Sequence, residues 1–270
     1  MRKPITKENV IFHKKRAIKK LNCLLETYIS SEQPDILKKA DLISYWLEEF
    51  TNYISFEDEF DPTRLLRYNR GNVLRINFGF NIGKELGGMH FAVVVDNDSK
   101  RNADVLTVIP LSSTDGRTVH SRSVDLGTEL FSKISDVQKG LISSTEERLA
   151  AVDESVKVFE STLELIKNVE SSEKDSPAFK DKLKEVLNYK SQVETEKKLL
   201  EKQFAQLERN EREIQKLKSG SMAVVNQITT VSKQRIYTPK RSEDFLYGIS
   251  LSPAAMDKIN EKIKELYIFD

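Results

Sequence analysis

The feature that most constrains the fold is a set of three short β-rich segments within residues 70–113. The segments, at 73–78, 91–95 and 105–111, are rich in β-branched residues and are separated by clusters of glycine, asparagine and aspartate. This pattern is typical of consecutive strands. Five of the ten glycines of the chain lie between Gly71 and Gly88. Because glycine lets a backbone approach a ligand closely, the loop between the first two strands is predicted to form a functional surface.

Several motifs in and after this region resemble those of the PemK/MazF toxin family. In chain order they are Arg70-Gly71-Asn72-Val73, Gly83-Lys84-Glu85-Leu86-Gly87-Gly88, His90-Phe91-Ala92-Val93-Val94-Val95, Pro110-Leu111-Ser112 and the segment SMAVVNQITTVSKQR at 221–235. The segment at 251–266 resembles the C-terminal helix of that family. The resemblance covers roughly half of the chain. It implies an α+β fold: a small SH3-like, MazF-like β-barrel with flanking helices.

Two helices are predicted ahead of this region, in an N-terminal extension that spans residues 1–66. Apolar residues recur at helical spacing between positions 10 and 28 and again between 36 and 53, and lysines cluster opposite the first stripe. One interpretation is a helical hairpin that packs on the barrel or on a second subunit. In the other, its basic face contacts phosphates or docks an antitoxin.

A second addition, of roughly ninety residues, separates the predicted strand at 122–126 from the motif at 221–235. Apolar residues recur there at three-, four- and seven-residue steps, which indicates a coiled coil. A polar turn at 171–177 favours two antiparallel helices over one rod. The sequence therefore predicts a β-barrel domain formed by residues 67–140 and 219–270, interrupted by an antiparallel coiled-coil hairpin at 141–218.

Composition narrows the classes of function. Charged residues make up 31% of the chain, yet its net charge is +1, so an RNA-binding surface has to be a local patch. One cysteine and three widely separated histidines argue against a disulfide and a metal site, and no cofactor motif is present. No apolar run approaches the length of a membrane span, and no signal peptide is recognised. We expect a cytoplasmic protein with no cofactor and no membrane association.

The resemblance implies a metal-independent endoribonuclease that cleaves single-stranded RNA through attack of a ribose 2′-hydroxyl. The family places an arginine after the glycine pair and a threonine or serine at the end of the third strand. By position, these catalytic residues correspond to His90 and Ser112. Histidine can act as a general acid or base, which arginine does poorly. It is equally compatible with a structural role or with a weakened site.

The resemblance also suggests RNA contacts and partners. The residues expected to bind RNA are Arg70, Lys84, Glu85, Gly87, Gly88, Phe91, Ser113 and Gln227. The expected partners are single-stranded RNA, a cognate antitoxin and a second copy of the chain in a homodimer. The alternative hypothesis is a toxin-like RNA- or protein-binding module that has lost catalysis and uses the coiled coil for assembly or regulation.

Overall fold

The computed structural model describes residues 5–97, 100–114, 116, 118–167, 177–215 and 218–268. Within these residues the chain forms five α-helices and seven β-strands, as the predicted α+β class requires. The strands are β1 (Val73–Asn77), β2 (Met89–Val94), β3 (Val105–Ser113), β4 (Val124–Gly127), β5 (Ser221–Ala223), β6 (Thr229–Ser232) and β7 (Ile236–Thr238). The helices are α1 (Lys7–Ile29), α2 (Pro34–Phe56), α3 (Glu129–Lys167), α4 (Pro177–Gln215) and α5 (Pro253–Tyr267).

The strands form one antiparallel sheet in the order β4-β5-β3-β2-β1-β7. The predicted strands at 73–78, 91–95, 105–111 and 122–126 are confirmed as β1 to β4. Strands β5 and β6 pair with successive parts of β3: β5 with residues 111–113 and β6 with residues 105–108. Because both short strands share β3, the chain after the insertion returns to the centre of the sheet.

Alternation of side chains along the strands gives the sheet two apolar faces. On one face, residues such as Val93 and Ile109 pack with the first turns of α3 and with α5. On the other, residues such as Ala92 and Val108 pack with Tyr68, Leu74 and other residues from β1, β6 and β7. Both faces are therefore fixed by packing, which sets the register of β2 and β3 near the candidate site.

The N-terminal extension is a helical pair with a small core. Both predicted helices form: Thr6 caps α1 by accepting a hydrogen bond from the backbone of Asn9, and α2 begins at Pro34, as its sequence predicts. Helix α1 buries no residue, and α2 buries only Ala40 and Ile43. The pair is therefore held to the sheet by a few specific contacts of α2.

Helices α3 and α4 pack together as an antiparallel pair. Lys197 Nζ lies 2.6 Å from Asp153 Oδ1, and Gln138 donates to the backbone oxygen of Leu207 at 2.7 Å. Helix α3 begins at Glu129, inside the predicted barrel segment 67–140, and runs without a break into the hairpin. The predicted turn at 171–177 lies outside the described residues except for Pro177. The three-part division of the chain stays a prediction.

By sequence, residues 221–235 resemble one strand of the family and residues 245–251 are predicted to form another, and the structure corrects both predictions. The segment 221–235 is not one strand, because 3-10 turns at Val225–Gln227 and Lys233–Arg235 divide it. Residues 245–251 form turns, with one isolated β-bridge between Ser250 and Asn72. No continuous strand forms there, because the backbone of Gly248 has a φ of 75° and the side chains of three apolar residues pack in the core. Those residues are Leu246, Ile249 and Leu251.

No helix in the described part of the chain is both long enough and apolar enough to cross a membrane.

Candidate active site

A cavity of about 270 Å³ lies where the ends of β2, β3 and β5 meet the start of α3. We call it the serine pocket. Its polar lining consists of His90, Ser112, Ser113, Ser221 and Lys218. The two residues predicted to be catalytic therefore line the same cavity, together with one predicted RNA-binding serine.

The sheet register explains why His90 and Ser112 share this pocket. Phe91 pairs with Leu111, so continuing the antiparallel register by one residue places His90 opposite Ser112. Directly opposed residues on neighbouring strands have side chains on the same face, with Cβ atoms about 5 Å apart. The two side chains can therefore reach one phosphate group between them.

Burial favours the neutral form of the half-buried imidazole of His90. Burial lowers its pKa below the ordinary value of 6.5, and polar contacts with the backbone of Leu111 and Gly87 oppose this shift only in part. A neutral imidazole has one donor nitrogen and one nitrogen with a free lone pair. The lowered pKa therefore favours the form of this side chain that can accept a proton.

Ser221 is a residue of this pocket that the sequence analysis did not select. It is 93% buried (7% exposed), and its hydroxyl has no hydrogen-bond partner in the part of the chain that the structure describes. A buried hydroxyl without a partner costs stability, so it is unusual in a native protein. The sequence signal that could have indicated Ser221 is its place as the first residue of the motif at 221–235.

The glycine-rich loop that precedes His90 is held in place by Gln227. The side chain of Gln227 accepts a hydrogen bond from the backbone of Leu86 at 2.5 Å and donates one to the backbone oxygen of Lys84 at 3.1 Å. Both ends of its amide are therefore used within the protein. Gln227, which sequence analysis predicted to contact RNA, is placed to position the loop.

The remaining predicted RNA-binding residues are dispersed. Arg70 donates to the backbone of Val95 and to Asn260 of α5, at the end of β1 remote from His90. Phe91 lines the serine pocket but packs partly against the core. Lys84 is exposed on the glycine-rich loop.

A second, larger cavity adjoins the serine pocket, because His90 lines both. We call it the α2 cleft. It has a volume of about 810 Å³ and lies between α2 and the glycine-rich loop, with β7 at its side. The predicted residues Glu85, Gly87 and Gly88 line this cleft and not the serine pocket.

Residues 69–159 match the family model described as PemK-like, MazF-like toxin of type II toxin–antitoxin systems. Over these residues the chain is similar to the PemK/MazF toxin family. The match spans β1 to β4 and most of α3. No curated protein matches the chain.

His90, Ser112 and Ser113 lie inside the part of the PemK/MazF-like chain that the family model matches, whereas Ser221 and Gln227 lie beyond it. The structure brings Ser221 into the serine pocket because β5 pairs with β3, with Ser113 opposite Ser221. No group of three histidine, cysteine, aspartate or glutamate side chains among the described residues is arranged to hold a metal ion.

Proposed function

We propose that this PemK/MazF-like protein is an endoribonuclease that cleaves single-stranded RNA without a metal ion, with the scissile phosphate in the serine pocket. The observation that carries the proposal is that His90, whose pKa is lowered by burial, lies opposite Ser112 across β2 and β3, and that both residues line one small cavity. A hydroxyl donor and a proton acceptor on the same side of a phosphate are the groups that 2′-hydroxyl attack requires.

In this mechanism the neutral His90 accepts the proton of the ribose 2′-hydroxyl, and the 2′-oxygen bonds to the adjacent phosphorus. The hydroxyl of Ser112 donates to a phosphate oxygen, and the charge of Lys218 offsets the negative charge that develops there. The bond from phosphorus to the 5′-oxygen then breaks, and solvent supplies a proton to the leaving oxygen. The products are a 2′,3′-cyclic phosphate and a 5′-hydroxyl.

The direct test is incubation of the purified, partner-free protein with single-stranded RNA in the presence of a chelator. We expect cleavage. A matched substrate with 2′-deoxyribose at the cleaved position should resist, because it lacks the attacking hydroxyl. If the protein cleaves RNA without chelator but not in its presence, the metal-independent mechanism is rejected.

A binding module is the second candidate, because no arginine is among the described residues that line the serine pocket. The fixed cation that the family places after the glycine pair is therefore missing. This alternative predicts RNA binding without turnover by a folded protein. A cognate antitoxin, a homodimer and a cytoplasmic location stay predictions in both cases.

Replacing Ser221 by alanine should separate function from stability. Because the buried hydroxyl has no described partner, we expect the free energy of unfolding to stay unchanged or to rise by up to about 1 kcal/mol. Cleavage should stay close to that of the parent, because this hydroxyl is fully buried and Ser221 faces the side of the sheet opposite to His90 and Ser112. Denaturant unfolding and single-turnover cleavage measure the two effects, and a Ser221→Ala protein that is less stable, or that cleaves tenfold more slowly, would contradict this account.

The pH dependence of cleavage should report the histidine. The neutral form is the active one, so the rate falls as pH drops through the His90 pKa; because burial lowers that pKa, the midpoint should lie below 6.5. The profile of kcat/KM against pH from 4.5 to 8.5 measures it. A rate that instead falls as pH rises from 6 to 8 would show that the protonated form is needed.

A further inference from the structure

Two exposed tyrosines from different elements line the α2 cleft. Tyr45, from α2, is 64% exposed, and Tyr237, from β7, is 59% exposed. Exposed aromatic side chains inside a concave site are unusual unless they contact a ligand. Aromatic rings on which a base can stack contribute strongly to the binding of single-stranded nucleic acid.

The cleft also offers cations and a free amide. Lys38 and Lys240 line it and are exposed, and neither forms an ion pair with any residue in the described ranges. The side-chain amide of Gln234 lines it too and makes no hydrogen bond to a described residue. Ammonium groups suit phosphates, and an amide suits the hydrogen-bonding edge of a base. Carboxylates of Glu49 and Glu85 add acceptors for amino groups of a base.

Helix α2 is fixed at this position by its tryptophan. The Trp46 ring lies against Gly79, where an added Cβ would come within 2.6 Å of the indole. The Arg235 guanidinium lies 5.0 Å from the centre of the same ring and donates to the backbone oxygens of Asn77 and Phe78. The wall that carries Tyr45 is therefore attached to the loop that leads to His90.

We propose that the α2 cleft is a nucleotide-binding subsite, in which the N-terminal extension holds the nucleotide next to the scissile phosphate. His90 lines both cavities, so a strand whose phosphate occupies the serine pocket continues into the cleft. Tyr45 and Tyr237 stack on the base, and Lys38 and Lys240 contact the next phosphate. This inference rests on the proposed function for the position of the scissile phosphate, but RNA binding in the cleft can be measured without cleavage.

The test uses the full chain and a fluorescent single-stranded RNA that is 2′-O-methylated throughout, so that it cannot be cleaved by 2′-hydroxyl attack. Fluorescence anisotropy then measures binding alone. We expect Tyr45→Ala to raise the Kd about tenfold, and Tyr45→Phe to bind like the parent because it keeps the ring. Tyr247→Ala is the matched control, since Tyr247 is 51% exposed on a loop outside the cleft.

The outcomes separate this proposal from the proposed function. RNA binding that is weaker for Tyr45→Ala, but unchanged for Tyr45→Phe and Tyr247→Ala, supports the subsite. If the parent also fails to cleave unmodified RNA, the subsite stands and the ribonuclease function is rejected. Equal binding by Tyr45→Ala and the parent, with unchanged circular dichroism, would overturn the subsite, as would a parent protein that binds no RNA.

Discussion

His90→Ala is expected to reduce RNA cleavage by at least about 100-fold, the usual effect of removing a general base. The substitution removes the proton acceptor that faces Ser112 across β2 and β3. It leaves Ser112 and Lys218 in place, so we expect RNA binding to change little. Single-turnover rates at saturating protein measure the loss, and anisotropy with 2′-O-methylated RNA measures binding.

The matched control for this variant is His120→Ala. His120 is exposed in the loop before β4, where its Nδ1 accepts a hydrogen bond from the backbone of Arg122. His120 lines neither the serine pocket nor the α2 cleft. Full activity in His120→Ala and the expected loss in His90→Ala would assign the effect to one imidazole. Cleavage that survives His90→Ala would keep the enzyme and reject His90.

Gly79→Ala should destabilise the protein by about 3 kcal/mol and release α2 from the sheet. The backbone of Gly79 has a φ of 78°, and its added methyl carbon would meet the Trp46 ring at 2.6 to 2.8 Å. An alanine at positive φ costs about 1 kcal/mol, and overpacking against a ring adds a further 1 to 3 kcal/mol. Denaturant unfolding measures the total.

Gly83→Ala is the control that separates strain from the clash. Gly83 has a φ of 64°, but no atom lies within 4 Å of the position of an added Cβ. We therefore expect a loss of only about 1 kcal/mol for this variant. Because Trp46 is the one tryptophan of the chain, its emission reports the docking of α2 directly. Equal stability losses for the two variants, with unchanged emission, would contradict the contact.

The first strands of the sheet could be predicted because the sequence signals that define them are local. The β-branched segments that became β1 to β3 are bounded by turn residues. Helix α2 has a proline in its first turn, and α5 follows Ser252, whose side chain caps the helix. Short apolar segments after the insertion were less predictable. Residues 245–251 resemble a strand locally, but tertiary packing uses their apolar side chains to fill the core.

Only part of the candidate site could be predicted. Position in the motifs selected His90 and Ser112, and the register of β2 and β3 then brought them together. Ser221 was not selected, although it is the first residue of the motif at 221–235, and its burial without a described partner is a property that a sequence does not display. The hydrogen bonds that Arg70 and Gln227 form within the protein could not be predicted either, because each side chain bonds to backbone groups distant in the sequence.

The N-terminal extension shows the same limit in another form. Helical periodicity predicted both helices but not which side of α2 meets the sheet. Two residues outside α2 set that side. Gly79 has no side chain and so leaves room for the helix, and Arg235 comes from a distant part of the sequence. The α2 cleft is a consequence of this pairing, so no single segment of the sequence could have indicated it.

The measurement that tests the central claim most directly is end-group analysis of RNA incubated with the partner-free protein in chelator. Mass spectrometry of the products should show 2′,3′-cyclic phosphates and 5′-hydroxyls for the parent, and intact RNA for His90→Ala over the same time. Intact RNA from a folded parent protein, or products that end in a 3′-hydroxyl, would contradict a histidine-assisted attack by the 2′-hydroxyl in the serine pocket.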